Sequence, residues 1–301
     1  MADAQVRQLR SFNRTVTERI GALTEEFLTR DRPLGQARVL WEIGPGGCDV
    51  RLLRARLALD SGYLSRLLRA LERDGLVCVT GSAADSRVRI ARLTAAGLAE
   101  RAELDRRSDE AALAILGPLT SAQRDQLTLA LATAERLLIT TMVEVTPADP
   151  RQPDARCCLR AYFAELAARF ESGFDPARSL PASDEELLPP AGTFLVARLR
   201  GEPAGCGAVR FHDREPAEIK RMWVSPAVRG LGLGRRILAE LERLALAHGA
   251  REARLETNGA LTEAIGMYRS AGYREVAAFS DEAYAHHWFE KPLAPAGRAA
   301  C

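Results

Sequence analysis

Lysine is almost missing from this chain: of its 42 Lys and Arg residues, only Lys220 and Lys291 are lysines, so any basic cluster is an arginine cluster. An excess of either sign is missing too. Forty acidic residues against 42 basic ones leave a net charge of +2, so no global basic field announces a nucleic-acid partner and any such partner needs a local patch. Apolar runs are short. None approaches the roughly 20 residues that a membrane-spanning helix requires, which excludes an α-helical membrane protein. The opening MADAQVRQLRSFNRTVTERI carries charges where a secretory signal needs an apolar centre, and a non-secreted, cytoplasmic chain is expected. Cysteine is sparse and scattered: Cys48, Cys78, Cys157, Cys158, Cys206 and Cys301 show no CxxC spacing and no clustering with histidine. That pattern excludes a zinc knuckle or a disulfide framework and leaves small buried thiols as the expectation, with a reactive thiol at Cys48 or Cys78 as the lesser alternative. No metal is expected, and no internal repeat is found.

What is present is a 301-residue chain with 47% hydrophobic and 27% charged residues, enough for two globular domains. The pattern changes near residue 145. Before it the chain reads as helical with one short strand pair; after it strands and helices alternate. The stretch 145–154 holds three prolines and reads as a linker. The expected organisation is a first domain over 1–144, a linker over 145–156, an α/β domain over 157–295 and a tail over 296–301.

In the first part, apolar positions at helical spacing predict a long helix over 5–30, a second from Pro33 to Ile43 stopped by a glycine-rich turn, and a short third over 49–57. A tight turn containing Asp60 and Ser61 leads into a fourth helix that buries Leu64, Leu67, Leu68 and Leu71 and ends at Gly75. Its other face carries Ser65, Arg66, Arg69 and Arg73 as one stripe. Two alternating runs over 76–80 and 87–91 then predict a hairpin, with Arg87 near its tip and Arg89 on its second strand. Two helices joined by a short turn, the second basic, followed by a basic hairpin, can set one helix in a major groove and the hairpin against phosphate or minor groove.

The run LALDSGYLSRLLRALERDGLV, with Asp85-x-Arg87 and the Leu-Thr-Ala-Ala-Gly opening of the next helix at 93–97, resembles the MarR family of winged helix-turn-helix regulators. The resemblance implies a mainly α N-terminal winged helix, with Asp85 bracing the wing. Arg87 and Arg89, together with Ser61, Ser65, Arg66, Arg69 and Arg73, would contact double-stranded DNA. It also implies a homodimer joined through the first helix and the helix over 121–140, reading a pseudo-palindromic operator.

The second part is dominated by EIKRMWVSPAVRGLGLGRRIL at 218–238: a strand, a glycine-rich loop, then a helix running to about His248. Glycines ahead of a helix bring backbone N–H groups close to an anion and add the helix dipole, which suits a pyrophosphate. A dinucleotide fold is disfavoured, because no acidic residue follows at the ribose position of a second strand. A Walker loop is excluded, because no Lys-Ser/Thr follows the glycines.

The pattern Arg229-x-x-Gly232-x-Gly234 after a strand resembles the acetyl-CoA motif of the GNAT superfamily. It implies an α/β fold with a mixed, mostly antiparallel sheet. Acetyl-CoA would be held by Met222, Trp223 and Val224 on the strand and by Arg229, Gly230, Leu231, Gly232, Leu233, Gly234 and Arg235 in the loop. Downstream, Asn258 on the strand over 254–258 and Tyr268 on the helix over 261–271 match family positions near the cofactor arm, with Tyr268 as proton donor to the leaving thiolate. Amide formation also needs a base for the amine and a donor for the oxyanion. Glu218, on the same strand, is the candidate base, and a backbone N–H near Val224 the candidate donor. Helix 159–170, a hairpin over 193–199 and 205–211, and a last strand over 286–290 complete the expected domain, although no first strand is evident before Leu159. Tyr162, Phe170, Phe174 and Tyr284 are the candidate acceptor-pocket residues. His286 and His287 are neighbours on a strand and point to opposite faces, against joint metal ligation. The expected function is a DNA-binding regulator joined to an N-acetyltransferase acting on a small primary amine or amino acid. The alternatives are an acetyl-CoA or ligand sensor without turnover, and a protein acetyltransferase directed by its DNA-binding half.

Overall fold

The computed structural model describes residues 2–19, 32–81, 88–171, 173–179, 182–212 and 216–293. The chain forms two compact units, Met1–Thr133 and Ala134–Cys301.

The first unit contains α1 (Ala2–Arg19), α2 (Leu34–Ile43), β1 (Cys48–Asp49), α3 (Val50–Leu57), α4 (Ser61–Arg73), β2 (Val77–Gly81), β3 (Arg89–Leu93) and α5 (Ala95–Leu116); the division falls inside α6 (Ser121–Thr141). Side-chain caps start these helices where the sequence offers Asp and Thr. Asp49 accepts from Arg51 N at 2.6 Å and Asp60 from Tyr63 N at 2.8 Å. Thr94 accepts from Gly97 N at 3.0 Å while its hydroxyl donates to Gly75 O at 2.7 Å, tying α5 to the end of α4. Leu64, Leu67, Leu68 and Leu71 of α4 are buried against Leu40, Leu53 and Leu104, each contributing about 1.5–3 kcal/mol on burial. An antiparallel three-stranded sheet, β1-β3-β2, closes the unit. The expected first helix over 5–30 is seen to Arg19; its continuation, and Asp85 and Arg87 of the wing, lie outside the described residues.

The second unit contains β4 (Val143–Pro147), α7 (Pro153–Arg169), β5 (Gly192–Leu199), β6 (Glu202–Arg210), β7 (Ala217–Val224), α8 (Leu233–Ala247), β8 (Glu252–Thr257), α9 (Thr262–Ser270), β9 (Arg274–Val276) and β10 (His287–Pro292). Its sheet runs β4-β5-β6-β7-β8-β10-β9 and is antiparallel except at β7–β8. Strand β5 shows why the middle of the sheet reads as a continuous apolar run. Phe194 and Val196 pack toward Ala155, Cys158 and Leu159 of α7, while Leu195 and Ala197 pack toward Ile237, Leu238 and Leu241 of α8.

Two differences from the sequence reading stand out. The expected linker holds most of a strand: β4 pairs with β5 from Val143↔Leu199 to Pro147↔Leu195, and α7 begins at Pro153. This is the first strand that the sequence did not reveal. Its two prolines, Pro147 and Pro150, sit at its last residue and beyond, positions where a missing N–H costs the ladder nothing. Short strand β9 and the 3-10 turns Pro176–Arg178 and Glu185–Leu187 were not anticipated either.

Candidate active site and candidate DNA-facing surface

The notch that defines the second unit's site opens because β7 and β8 part company. They pair at only two positions, Ala217↔Ala253 and Glu218↔Arg254, after which β8 continues beside β10. Strand β7 also bulges. Between the pairs Ala208↔Lys220 and Cys206↔Trp223 it carries one residue more than β6, and Arg221 takes up the extra length with φ of 57°. Facing the bulge, a Cβ on Gly207 would lie 2.7 Å from Met222 Sδ and 2.8 Å from Ile237 Cγ2. Only a glycine lets Met222 lie this close to the sheet.

One cavity, of about 600 Å³, occupies one side of the split. It is lined by Met222, Trp223, Val224, Arg229, Gly230, Gly232, Leu233, Gly234, Arg235 and Tyr268, with Glu165, Arg169, Glu263 and Met267 beside them. Gly230 and Gly232 both adopt φ of 77°, a conformation open to glycine without penalty. Gly232 is the N-cap of α8 and no side chain caps the helix, so its first N–H groups are left for an external acceptor. Such a cradle fits an anionic phosphate chain.

Arg229 is braced rather than free. It donates to Val224 O at 3.0 Å and is ion-paired with Glu165, which also accepts from Trp223 Nε1 at 2.9 Å and meets Arg169 at 3.4 Å. Burial works against charge on Glu165, but the bonds from Arg229 and Trp223 prevail and hold its carboxyl below the usual range. Arg235 donates to Ser270 Oγ at 2.9 Å.

A second cavity lies on the other side of Tyr268. It is lined by Tyr162, Phe163, Phe170, Phe174 and Tyr284 together with Ser179, Lys220, Arg221, Glu256, Asn258 and Glu282. The two cavities share Tyr162, Leu166, Met222, Leu261, Ala264 and Tyr268 in their linings. Tyr268 is 5% exposed, its ring set edge-on to Tyr273 at 5.9 Å and against Phe289 at 6.2 Å. Burial pushes its phenol pKa above the ordinary value, as it does for Tyr162. Both therefore stay protonated at neutral pH. All four expected acceptor-pocket residues line this second cavity.

Three expected residues fall elsewhere. Leu231 is absent from the lining of the larger cavity and instead packs at the edge of the α8 core. Asn258 lines the second cavity and not the first, and its side chain is committed: Nδ2 donates to Tyr284 O at 2.7 Å and Oδ1 accepts from Ala260 N at 2.9 Å. It shapes the pocket wall.

Glu218, the expected base, lines neither cavity. It is 8% exposed and ringed by basic side chains: Arg254 at 3.1 Å, His212 at 3.4 Å, Arg210 at 3.7 Å and Lys220 at 3.9 Å. Burial opposes its charge, but Lys220, Arg254 and His212 outweigh it and lower its pKa. A carboxylate held ionised in this way is a poor proton acceptor.

The carboxylates that do line the acceptor cavity are Glu256, ion-paired with Lys220 at 2.7 Å, and Glu282, which accepts from Ser179 Oγ at 2.9 Å and from Tyr284 N at 3.4 Å. Glu282 stood in no sequence motif. Glu165 and Arg169, one turn apart on α7, stood in no sequence motif either. Among the described residues no group of three His, Cys, Asp or Glu is placed to hold a metal, and no helix is long and apolar enough to cross a membrane. His287 bonds Glu275 at 2.6 Å and His286 Nδ1 accepts from Gly259 N at 3.3 Å.

In the first unit, α4 presents Ser61, Arg66, Arg69 and Arg73 to solvent, with Ser65 half-buried. The guanidinium of Arg66 lies 5.5 Å from the ring of Tyr63, itself 39% exposed. Arg89 of β3 is exposed. Val6 and Leu9 of α1 and Leu129, Leu137 and Leu138 of α6 also stand at least half exposed.

Known proteins share both halves. The acetyltransferase (GNAT) family model matches residues 160–273 and the MarR family model residues 30–88. The chain is 38% identical over 114 residues to the IAA acetyltransferase of Azospirillum brasilense, spanning 37% of this chain and 74% of that protein. It is 34% identical over 126 residues to the N-alpha-acetyltransferase RimI of Mycobacterium tuberculosis, covering 41% of this chain and 74% of the relative. A GNAT family acetyltransferase from Elizabethkingia anophelis solved with acetyl-CoA bound overlays 50% of this chain and 99% of its own, with a TM-score of 0.37 and 16% identity.

Proposed function

The chain belongs to the GNAT acetyltransferase family and carries a MarR-family segment ahead of its acetyltransferase portion, and from that premise we propose a DNA-binding regulator that also acetylates a small primary amine. Its acetyl donor is acetyl-CoA. The observation that carries the catalytic reading is the meeting of two cavities at Tyr268, one floored by an uncapped glycine-rich helix start and the other lined by carboxylates and rings.

In this reading the N–H groups at the start of α8 hold the pyrophosphate, and Met222, Trp223 and Val224 hold the arm of the cofactor. Bound acetyl-CoA supplies an activated acetyl thioester. An ammonium entering the second cavity gives up its proton to Glu282, directly or through water. Glu282 lines that cavity beside Tyr284, whereas Glu256 is engaged by its ion pair with Lys220. The N–C bond forms as the C–S bond breaks, a backbone N–H near Val224 stabilises the oxygen, Tyr268 protonates the departing sulfur, and the second proton that the nitrogen sheds on becoming an amide returns to the Tyr268 oxygen, directly or through water.

In the first half, the exposed arginines of α4 enter a major groove and Arg89 faces the phosphates beside it. The exposed apolar faces of α1 and α6 pair two copies about a two-fold axis, which matches a pseudo-palindromic site.

The test is thiol release from acetyl-CoA by the full chain against a panel of amines and amino acids, run beside selection of bound duplexes from a random pool. Turnover with one amine class and enrichment of a two-fold sequence are the expected results. Saturable acetyl-CoA binding with no turnover on any amine would replace the enzyme by the alternative, a regulator that senses acetyl-CoA.

A further inference from the structure

The acceptor cavity holds a cation that catalysis does not use. Arg221 sits at the bulge of β7 with φ of 57° and lines this cavity. A non-glycine residue in that conformation is uncommon, so the backbone is bent at the point where the guanidinium enters the pocket. Its hydrogen-bond partner among the described residues is a carbonyl, Ala182 O at 2.5 Å, and its guanidinium lies 5.7 Å from the ring of Phe163. Burial lowers its pKa, against a weaker opposing pull from Tyr162 and Asp184.

Neighbouring cations differ: Lys220 is matched by Glu256, and Arg156 by Asp184. A half-buried guanidinium whose direct partner is a carbonyl is costly to keep for tethering alone. Its flat fork is the geometry that takes a carboxylate in two parallel hydrogen bonds.

Rings make up one side of the lining. Phe163 and Phe174 stack at 5.7 Å and 9°, Phe170 meets Phe174 edge-on at 5.9 Å, and Tyr284 closes on Phe174 at 5.0 Å. Such a lining accepts a flat apolar group by offset or edge contact. Glu282 and Tyr268 complete the same cavity.

We propose that the acceptor is an α-amino acid with a flat aromatic side chain: its carboxylate on Arg221, its ring among Phe163, Phe170, Phe174 and Tyr284, its amine toward Glu282 and Tyr268. This inference rests on the acetyltransferase reading and narrows the acceptor within it. The ammonium loses one proton to Glu282, the N–C bond forms as the C–S bond breaks, the sulfur takes a proton from Tyr268, and the second proton from nitrogen returns to the Tyr268 oxygen, so the products are the N-acetyl amino acid, free CoA and one proton.

The deciding experiment compares L-phenylalanine, 2-phenylethylamine and L-alanine on the full chain, by thiol release and by calorimetric titration in the presence of CoA. Phenylalanine is expected to exceed the decarboxylated amine in kcat/KM by about ten-fold or more, since a site built around a polar group rejects an analogue that lacks it. It is expected to exceed alanine by a similar factor through the lost ring contacts. Arg221→Asn, a residue that tolerates the left-handed backbone, abolishes the preference for phenylalanine over phenylethylamine and leaves acetyl-CoA affinity unchanged. Arg221→Lys retains part of the preference. Equal or better use of phenylethylamine by the unaltered chain overturns the proposal whatever the variants do, and so does an absence of phenylalanine binding in the titration. Turnover confined to amines without a carboxylate removes this inference and leaves the acetyltransferase standing. Selective phenylalanine binding without thiol release removes the acetyltransferase reading and leaves only an amino-acid binding site at Arg221.

Discussion

Replacing Glu218 by glutamine separates a structural ion cluster from a catalytic base. The side chain is 10% exposed and its two oxygens lie between 3.1 and 3.9 Å from Arg254, His212, Arg210 and Lys220. Breaking a buried ion pair outright costs about 3–5 kcal/mol, because the partner charge is left uncompensated. The loss here is smaller: Arg210 keeps Glu186 at 2.6 Å, Lys220 keeps Glu256 at 2.7 Å and the Arg254 guanidinium keeps the Phe279 ring at 4.8 Å. A destabilisation of about 1–3 kcal/mol is expected. Urea unfolding followed by tryptophan fluorescence reads it, since Trp223 and Trp288 both belong to the second unit.

The pH dependence gives a second readout. Glu218 has a lowered pKa in the folded chain, so its stabilisation is fully present above the ordinary carboxylate value and is lost as pH falls through the folded one. The gap between wild type and Glu218→Gln is therefore largest near neutrality and closes below about pH 4. At a temperature well under the unfolding transition, kcat for thiol release stays within about three-fold, because the side chain touches neither cavity. A fall in kcat of about 100-fold with unchanged stability refutes this reasoning and restores Glu218 as the base.

Tyr268→Phe keeps the ring that packs on Tyr273 and Phe289 and removes the hydroxyl at the junction of the cavities. Thiol release is expected to slow by about 100-fold, with acetyl-CoA affinity and the melting temperature nearly unchanged; an unaltered rate removes Tyr268 from the mechanism. Arg69→Ala clears one exposed cation from α4, and the slope of log K for duplex binding against log salt is expected to fall by about 0.9 per protomer. An identical slope would show that this face does not meet phosphate.

The larger cavity was legible where one local motif builds its wall. Arg229-x-x-Gly232-x-Gly234 fixes a loop and a helix start within a few residues of each other, and such features depend on backbone preferences that a sequence states directly. The acceptor side was legible only in its rings. Arg221 and Glu282 lie 61 positions apart in the chain and line one cavity, because a one-residue bulge in β7 and the parting of β7 from β8 bring them together. Neither the bulge nor the parting leaves a periodic trace. Glu218 misled for a related reason. Its place on β7 was read correctly, but the four basic side chains around it come from β6, the segment after it, β7 itself and β8. Their convergence is a property of strand register, invisible to spacing within one strand.

The boundary between the halves shows the same difficulty and yields a sharp test. Residues 145–154 hold three prolines and read as a linker, yet Val143 is 3% exposed and packs in the α8 core. Alternation is short here, only Val143 and Val145 facing inward, and the prolines drown it. A fragment beginning at residue 157, where the sequence placed the domain, removes β4 and the first turn of α7, including buried Ala155. It strips one edge of β5 of its partner and forfeits about 1.5–3 kcal/mol from Val143 alone, before the five lost strand pairings. A fragment beginning at Ala134 keeps all of these. We expect the longer fragment to unfold cooperatively and to bind acetyl-CoA as the whole chain does, and the shorter one to melt at least 10 °C lower or to aggregate through the bared edge of β5. Equal melting temperatures for the two would mean that β4 is an accessory strand and that the core of the domain closes without it.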